Sequence, residues 1–198
     1  NERNIIRIYL LYLKMLTATQ FEETNVHQIY SQIASHFDAT RAYLWRGIKE
    51  FVLDLSPGLA VLDAGCGNGK NMFREDLEFI GIDTCPELVK IASKYGKTQL
   101  ANIINLPFPD NSFDAVICVA VLHHLSTRER RLQALKELYR VLKPRGKMFI
   151  QVWAKEENTR KKMVPIADSN NIFNADSNNI FNADSNKAET DYLVPWMP

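Results

Sequence analysis

The feature that most constrains the fold is the glycine-rich segment Asp63–Lys70, DAGCGNGK in one-letter code, which directly follows the apolar run Leu59–Leu62. A short continuous apolar run is typical of a strand that is buried on both faces of a parallel sheet. Glycine permits a positive φ and lets a ligand approach the backbone closely. The spacing is Gly-x-Gly-x-Gly rather than the Gly-x-Gly-x-x-Gly of dinucleotide sites, and an acidic residue precedes it. The segment therefore predicts a strand, a tight turn and a nucleotide-type ligand without a pyrophosphate.

Apolar runs and amphipathic stretches alternate along the rest of the chain. Strands are predicted at 59–62, 79–82, 98–101, 113–119 and 147–153, and helices at about 24–37, 42–55, 70–76, 84–94 and 127–142, with Thr84 as the cap of the fourth helix. Such alternation predicts right-handed crossovers and an α/β fold with a doubly wound, mostly parallel sheet. Sheets of this kind bind ligands at the carboxyl ends of their strands.

Polar residues follow the second and third predicted strands. Asp83 ends the second strand, twenty residues after Asp63, where a carboxylate can accept hydrogen bonds from ribose hydroxyls. The alternative is an ordinary turn residue. The segment Asn102–Phe108 follows the third strand, so its polar groups can meet an adenine edge while its apolar groups cover the ring.

Composition limits the class of protein. The chain has 198 residues, a formal net charge of +1, 46% hydrophobic residues, and three Cys. These values argue against a disordered chain and against a disulfide-stapled miniprotein. No apolar run is long enough to cross a membrane, so a cytoplasmic or nuclear location is expected. The first residue is Asn, which suggests a fragment.

Domain boundaries follow from changes in composition. We predict an N-terminal extension at 1–23, the main domain at 24–154, a basic and Asn-rich low-complexity insertion at 155–190, and an apolar segment at 191–198 that packs back on the domain. The octamer ADSNNIFN occurs at 167–174 and again at 175–182. It is too short and too polar for a solenoid repeat.

Basic residues are concentrated in one part of the chain. Twelve of the 24 Lys and Arg residues lie between 128 and 162, against four Glu. This segment is either a phosphate-facing surface or a solvated face.

The pattern resembles class I S-adenosylmethionine-dependent methyltransferases, and within them the eukaryotic tRNA wobble-uridine carboxymethyl methyltransferase family, which includes the methyltransferase domain of the AlkB-like fusion enzyme. The resemblance covers about 24–154 and 191–196. The segments that carry it are His27–Tyr30, Ile33–Phe37, Thr40–Arg41 with Trp45, Asp63–Lys70, Ile117–Arg131, Val152–Ala154 and Tyr192–Trp196.

The resemblance implies methyl transfer from S-adenosylmethionine to the carboxylate of 5-carboxymethyluridine at the tRNA wobble position. It implies tRNA as the substrate and a small zinc-binding activator subunit as a partner, which would add a strand to a sheet edge. Trp45, Trp153 and Trp196 could stack a flipped-out base, and ordinary core packing is the alternative role for each. The expected catalytic residues are Arg41, His123, His124, Arg128 and Arg130, with an arginine holding the substrate carboxylate. The expected cofactor contacts are Asp63, Gly65, Cys66, Gly67, Asn68, Gly69, Asp83, Thr84, Asn102, Ile103 and Val119. No metal site is predicted.

Two departures leave alternatives open. Asn102 stands where many family members carry Asp, although its amide oxygen still accepts a hydrogen bond. The last strands of the family's sheet are not apparent in the sequence, which ends at Pro198. A small-molecule methyltransferase of the same fold, or a truncated non-catalytic protein that binds cofactor or RNA, therefore remains an alternative.

Overall fold

The computed structural model describes residues 17–40 and 44–152, and the backbone of 164–165 and 192–193. Several predictions fall on positions outside these ranges: the roles of Arg41, Trp153 and Trp196, the repeats within the insertion, and most of the C-terminal segment.

A five-stranded parallel sheet forms the centre of the fold, in the order β3-β2-β1-β4-β5. The strands are β1 (Ala60–Ala64), β2 (Glu78–Asp83), β3 (Lys97–Leu100), β4 (Phe113–Val119) and β5 (Leu142–Gln151). The chain runs outward from β1 to β3 and then returns to the other side of β1. The carboxyl ends of β1 and β4 therefore flank the switch point of the sheet, where open α/β folds bind ligands. The predicted fold class is confirmed.

Helices cover the sheet. They are α1 (Gln28–Thr40), α2 (Arg46–Leu53), α3 (Pro86–Ala92) and α4 (Arg128–Val141), with a 3-10 turn at Leu122–His124. Helical backbone already extends from residue 17 and passes through a π-helical turn at Glu23–His27 before α1. The predicted boundary at residue 23 thus lies inside helical backbone. Within the described ranges, no helix is both long and apolar enough to cross a membrane.

The core lies on both faces of the sheet. Val61 packs with Ile48 of α2 on one face, and its neighbour Leu62 packs with Leu138 of α4 on the other. Adjacent residues of a strand point to opposite faces, so the continuous apolar run of β1 is explained by burial on both sides.

Three local predictions are wrong. The segment 70–76 runs through turns and contains no helix, because Arg74 turns back to donate hydrogen bonds to the carbonyls of Val52 and Leu55. The N-cap of α3 is Cys85 rather than Thr84. Strand β5 begins at Leu142 rather than at the predicted residue 147, and it contains an irregularity in which Arg145 has a φ of 66°.

A short antiparallel pair joins Val164–Pro165 to Tyr192–Leu193. These residues flank the octamer repeats in the sequence, so the pair brings together the two ends of the repeat-containing segment.

Candidate active site

A cavity of about 190 Å³ opens at the carboxyl ends of the strands. We name two groups of the residues that line it. The glycine wall consists of Gly65–Asn68, Asp83, Thr84 and Asn102, and the histidine wall consists of Glu22, Val26, His27, Tyr30, His123 and His124. Of the predicted site residues, those that line the cavity are Gly65, Cys66, Gly67, Asn68, Asp83, Thr84, Asn102, Ile103, Val119, His123 and His124.

The glycine turn is held by its own backbone. The amides of Gly65 and Cys66 both donate to the carbonyl of Ile82 at 2.8 Å. Gly65, Gly67 and Gly69 have φ values of 82°, 55° and 82°, which residues with a side chain adopt only at a cost. A Cβ at Gly65 would collide with the side chain of Val121. The turn therefore requires glycine both for its backbone angles and for its packing.

Asp83 links the glycine turn to the start of α3. One carboxylate oxygen accepts from the Gly67 amide at 2.9 Å and the other from the Cys85 amide at 3.0 Å. Burial raises the pKa of Asp83, and these backbone donors partly offset the effect. Each oxygen keeps further acceptor capacity. Asp83 is thus both the turn residue and the cavity-lining carboxylate that the sequence offered as alternatives.

Asp63 lies beneath the glycine turn and is not part of the cavity lining. It is fully buried, and neither of its oxygens has a hydrogen-bond donor among the described residues. Burial raises the pKa of Asp63 to about 7, while nearby Asn71 acts in the opposite direction. A buried carboxylate with so little hydrogen bonding is costly as an anion, which is the physical reason for its raised pKa.

Asn102 closes the glycine wall. Its side-chain oxygen accepts from the backbone amide of Ile104 at 3.1 Å, within the turn that follows β3. The oxygen retains a second lone pair. The predicted adenine contact and this local turn are therefore compatible.

Two neighbouring histidines form the centre of the histidine wall. Their ring centroids are 4.3 Å apart. The hydroxyl of Tyr30 lies 3.0 Å from Nε2 of His124, and their rings meet edge to face. Burial lowers the pKa of His124 to about 3, with His123 and His27 adding to the effect. His124 is therefore a neutral imidazole at pH 7, suited to orienting a substrate rather than neutralising its charge.

Sequence reasoning missed Tyr30 and Glu22 as site residues. Tyr30 lies in the helix predicted at about 24–37, and this local pattern carries no signal that its hydroxyl reaches a histidine 94 positions away. Trp45 also lines the cavity and is 37% exposed, a placement that permits contact with a ligand.

The predicted arginines are not brought together. Arg130 is 4% exposed, and its guanidinium forms a bidentate pair with Glu22, at 2.8 and 2.6 Å. Arg128 is exposed at the first position of α4. Neither lines the cavity, and neither do Asp63 and Gly69. Arg41 lies outside the described residues.

The basic segment is not one free surface in its described part. Arg140 pairs with Glu137 and Asp110, Lys143 with Asp114, and Lys147 with Asp54. The carbonyls of Arg140 and Val141, at the end of α4, accept hydrogen bonds from the amides of Asn111 and Ser112. These two residues directly precede β4, at the amino ends of the strands. This part of the segment therefore lies at the end of the sheet opposite the cavity, and Arg128 is the member at the cavity end of the helix.

Comparison with known proteins finds similarity to methyltransferases. A family model described as "Methyltransferase domain" matches residues 62–150. A tRNA (carboxymethyluridine(34)-5-O)-methyltransferase of Arabidopsis thaliana is 45% identical over 140 residues, which cover 70% of this chain and 35% of the relative. The protein of the same name from Schizosaccharomyces pombe is 40% identical over 144 residues, which cover 72% of this chain and 63% of the relative. The chain thus spans less than two thirds of either relative.

Solved structures support the fold. A complex between the Haloferax volcanii Trm112 methyltransferase activator and a methyltransferase matches with a TM-score of 0.52 at 23% identity, over 59% of this chain and 57% of that one. The fold and the glycine wall define a class I methyltransferase domain. Within that class, the chain is similar in sequence to tRNA (carboxymethyluridine(34)-5-O)-methyltransferases.

Proposed function

We propose that the chain is an S-adenosylmethionine-dependent tRNA methyltransferase that forms the methyl ester of 5-carboxymethyluridine at the anticodon wobble position. The observation that carries this proposal is one cavity with a nucleotide-type glycine wall facing a neutral Tyr30–His124 pair. The plant and fission yeast relatives named for this reaction, at 45% and 40% identity, support it.

The glycine wall fits the cofactor. Asp63 lies buried beneath the glycine turn, so we assign it a role in supporting that turn rather than in contacting the cofactor. Asp83 lines the cavity with acceptor capacity for ribose hydroxyls, and Asn102 and Ile103 offer polar and apolar groups for an adenine ring. When bound, S-adenosylmethionine supplies a methyl group that its sulfonium has already activated.

The acceptor requires little chemistry from the protein. A carboxylate is ionised at pH 7, so no general base is needed. The task of the histidine wall is alignment, which can account for a large part of a rate enhancement. Tyr30 and His124 orient the acceptor through hydrogen bonds, and they leave its nucleophilic charge in place because His124 is neutral.

We keep an arginine as the holder of the substrate carboxylate. Arg41 and Arg128 are the candidates, since the guanidinium of Arg130 is occupied by Glu22. We assign Arg130 a structural role. An exposed arginine near the cavity also suits a tRNA phosphate, whose contribution depends on salt.

We further propose a small activator subunit as a partner. Strand β3 is an edge of the sheet and carries the exposed Leu100. An unpaired edge of this kind accepts an added strand. The Haloferax volcanii methyltransferase of similar fold is in complex with the Trm112 methyltransferase activator, which supports a partner of this kind. We also propose a cytoplasmic or nuclear location for the protein.

The test is incubation of the purified chain with labelled S-adenosylmethionine and bulk tRNA, with and without the candidate activator, followed by mass analysis of wobble nucleosides. We expect the methyl ester of 5-carboxymethyluridine from the wild type and none from Asp83→Ala. Label in lipids or other small molecules instead would favour the small-molecule alternative. Cofactor binding with no labelled product under either condition would favour a non-catalytic role.

A further inference from the structure

The helical backbone that precedes and includes α1 is bonded at two separate points to the segment 122–130, which runs from the 3-10 turn into the first turn of α4. The first point is Glu22, which is 1% exposed. Its carboxylate accepts from the amide and hydroxyl of Ser126 at 2.7 and 2.8 Å, and from Nε and Nη2 of Arg130 at 2.8 and 2.6 Å. The second point is the bond between Tyr30 and His124. The partners at each point are more than 90 positions apart in the chain.

A π-helical turn separates these two points. Glu22 and Tyr30 are eight residues apart, and a regular α-helix would rotate them to directions that differ by about 80°. The amide of Gln28 instead donates to the carbonyl of Glu23, five residues earlier. A turn of this kind absorbs about one extra residue. Glu22 and Tyr30 therefore face the same segment, and both line the cavity.

Four hydrogen bonds hold the Glu22 carboxylate in place. Removing a partner from a buried carboxylate is strongly destabilising, so we expect Glu22 to keep all four bonds in the folded protein. Ser126 follows the 3-10 turn that carries both histidines by two residues. The position of that turn thus depends on a carboxylate located on another element.

We propose that Glu22 is a positioning residue for methyl transfer, which acts through Ser126 and Arg130 to hold the histidine wall against the acceptor. The inference rests on the proposed function, because it assigns the histidine wall to the acceptor. It predicts that loss of the Glu22 contact impairs use of the acceptor and leaves cofactor binding on the glycine wall intact.

The decisive variant is Glu22→Gln, which keeps the size of the side chain and removes its charge. We expect kcat/KM for tRNA to fall at least tenfold and the Kd for S-adenosylmethionine, measured by calorimetry, to change less than threefold. Amide hydrogen exchange should accelerate at least tenfold in 122–128 and in 17–30, and remain unchanged in 65–69.

Asp114→Asn is the matched control. The Asp114 carboxylate accepts from Lys143 at 2.8 Å and from the Ala60 amide at 3.0 Å, at the amino ends of the strands. This variant also breaks an ion pair with a backbone contact, so it should lower stability while kcat/KM changes less than twofold. A fall in kcat/KM equal to that of Glu22→Gln would show a general stability effect and overturn the proposal.

Ser126→Ala keeps the test valid if Glu22→Gln does not fold. It removes one of the four bonds to Glu22, so we expect a smaller loss of kcat/KM in the same direction. In either variant, unchanged amide hydrogen exchange in 122–128 would overturn the proposal. A loss of cofactor affinity that parallels the loss of activity would also overturn it. If the wild type modifies no tRNA, the proposed function fails on its own, and the exchange and calorimetry data still decide whether Glu22 positions this segment.

Discussion

The glycine wall and the histidine wall line one cavity but are assembled over very different distances along the chain. The bond from Gly67 to Asp83 joins residues 16 positions apart, whereas the bond between Tyr30 and His124 spans 94 and the Glu22–Arg130 pair spans 108. The first wall consists of backbone angles and backbone donors, and the second consists of side chains from separate elements. Local sequence therefore determines the first wall, and tertiary packing determines the second.

The largest effect is expected at the glycine wall. Gly65→Ala places a Cβ against Val121 at a φ of 82°. We expect the free energy of unfolding to fall by at least about 3 kcal/mol, with loss of cofactor binding. Urea denaturation and calorimetry measure the two effects.

Gly58→Ala is the control for the backbone alone. Gly58 has a φ of 78°, and an added Cβ meets no atom within 4 Å. It should cost only about 1 kcal/mol and leave cofactor binding unchanged. Equal costs at the two positions would show that packing against Val121 adds nothing.

A second prediction concerns the pH dependence set by Asp63. Its folded pKa of about 7 lies above the ordinary value of 3.8. A raised pKa means that its contribution to stability is complete below about pH 4 and is lost as the pH rises through about 7. Asp63→Asn removes this titration, so it should stabilise the ligand-free protein at pH 8 by up to about 4 kcal/mol, less the cost of burying the amide.

Thermal unfolding of both proteins from pH 4 to pH 8 tests this sign. The stability advantage of the Asn variant should be small at pH 4 and grow with pH. An advantage that is constant with pH would contradict the burial of an ionisable carboxylate at this position.

Variants of the histidine wall should impair use of the tRNA and leave cofactor binding intact. Tyr30→Phe removes the hydroxyl that meets His124 and keeps the ring. We expect kcat/KM for tRNA to fall about tenfold, equivalent to about 1.4 kcal/mol, with an unchanged Kd for the cofactor. Tyr139→Phe is the control, since Tyr139 is 76% exposed on α4, and it should change neither value. If Tyr30→Phe also lowers the affinity for the cofactor, the two walls do not have separate roles.

The same contrast explains which parts of the structure the sequence could predict. The five strands and the turn at Gly65–Gly69 follow from apolar runs and glycine spacing, both of which are local signals. The position of Asp83 follows from the end of an apolar run. The helix predicted at 70–76 was wrong because the bonds of Arg74 to the chain near Val52 and Leu55 leave no trace in the local pattern.

The arginines show why the second wall was harder to predict. Arg128 and Arg130 are two positions apart in one basic stretch, so the sequence treats them alike. On a helix, such neighbours point in different directions. Arg130 faces the interior and Glu22, while Arg128 faces solvent. The partner that distinguishes them lies about 100 residues away and gives no local signal.

The smallest effect is expected at Arg128. Its exposure means that Arg128→Ala should change the free energy of unfolding by no more than about 0.5 kcal/mol. If Arg128 contacts a tRNA phosphate, the variant should lower the slope of log Kd against log salt by about one, as measured by fluorescence binding between 50 and 200 mM salt. Lys136→Ala, farther along the exposed face of α4, should leave that slope unchanged. Equal slope changes in both variants would mean that the tRNA contacts α4 along its whole length. Unchanged slopes in both would place the phosphate contacts outside this helix. The histidine wall would then select the acceptor without help from the basic segment.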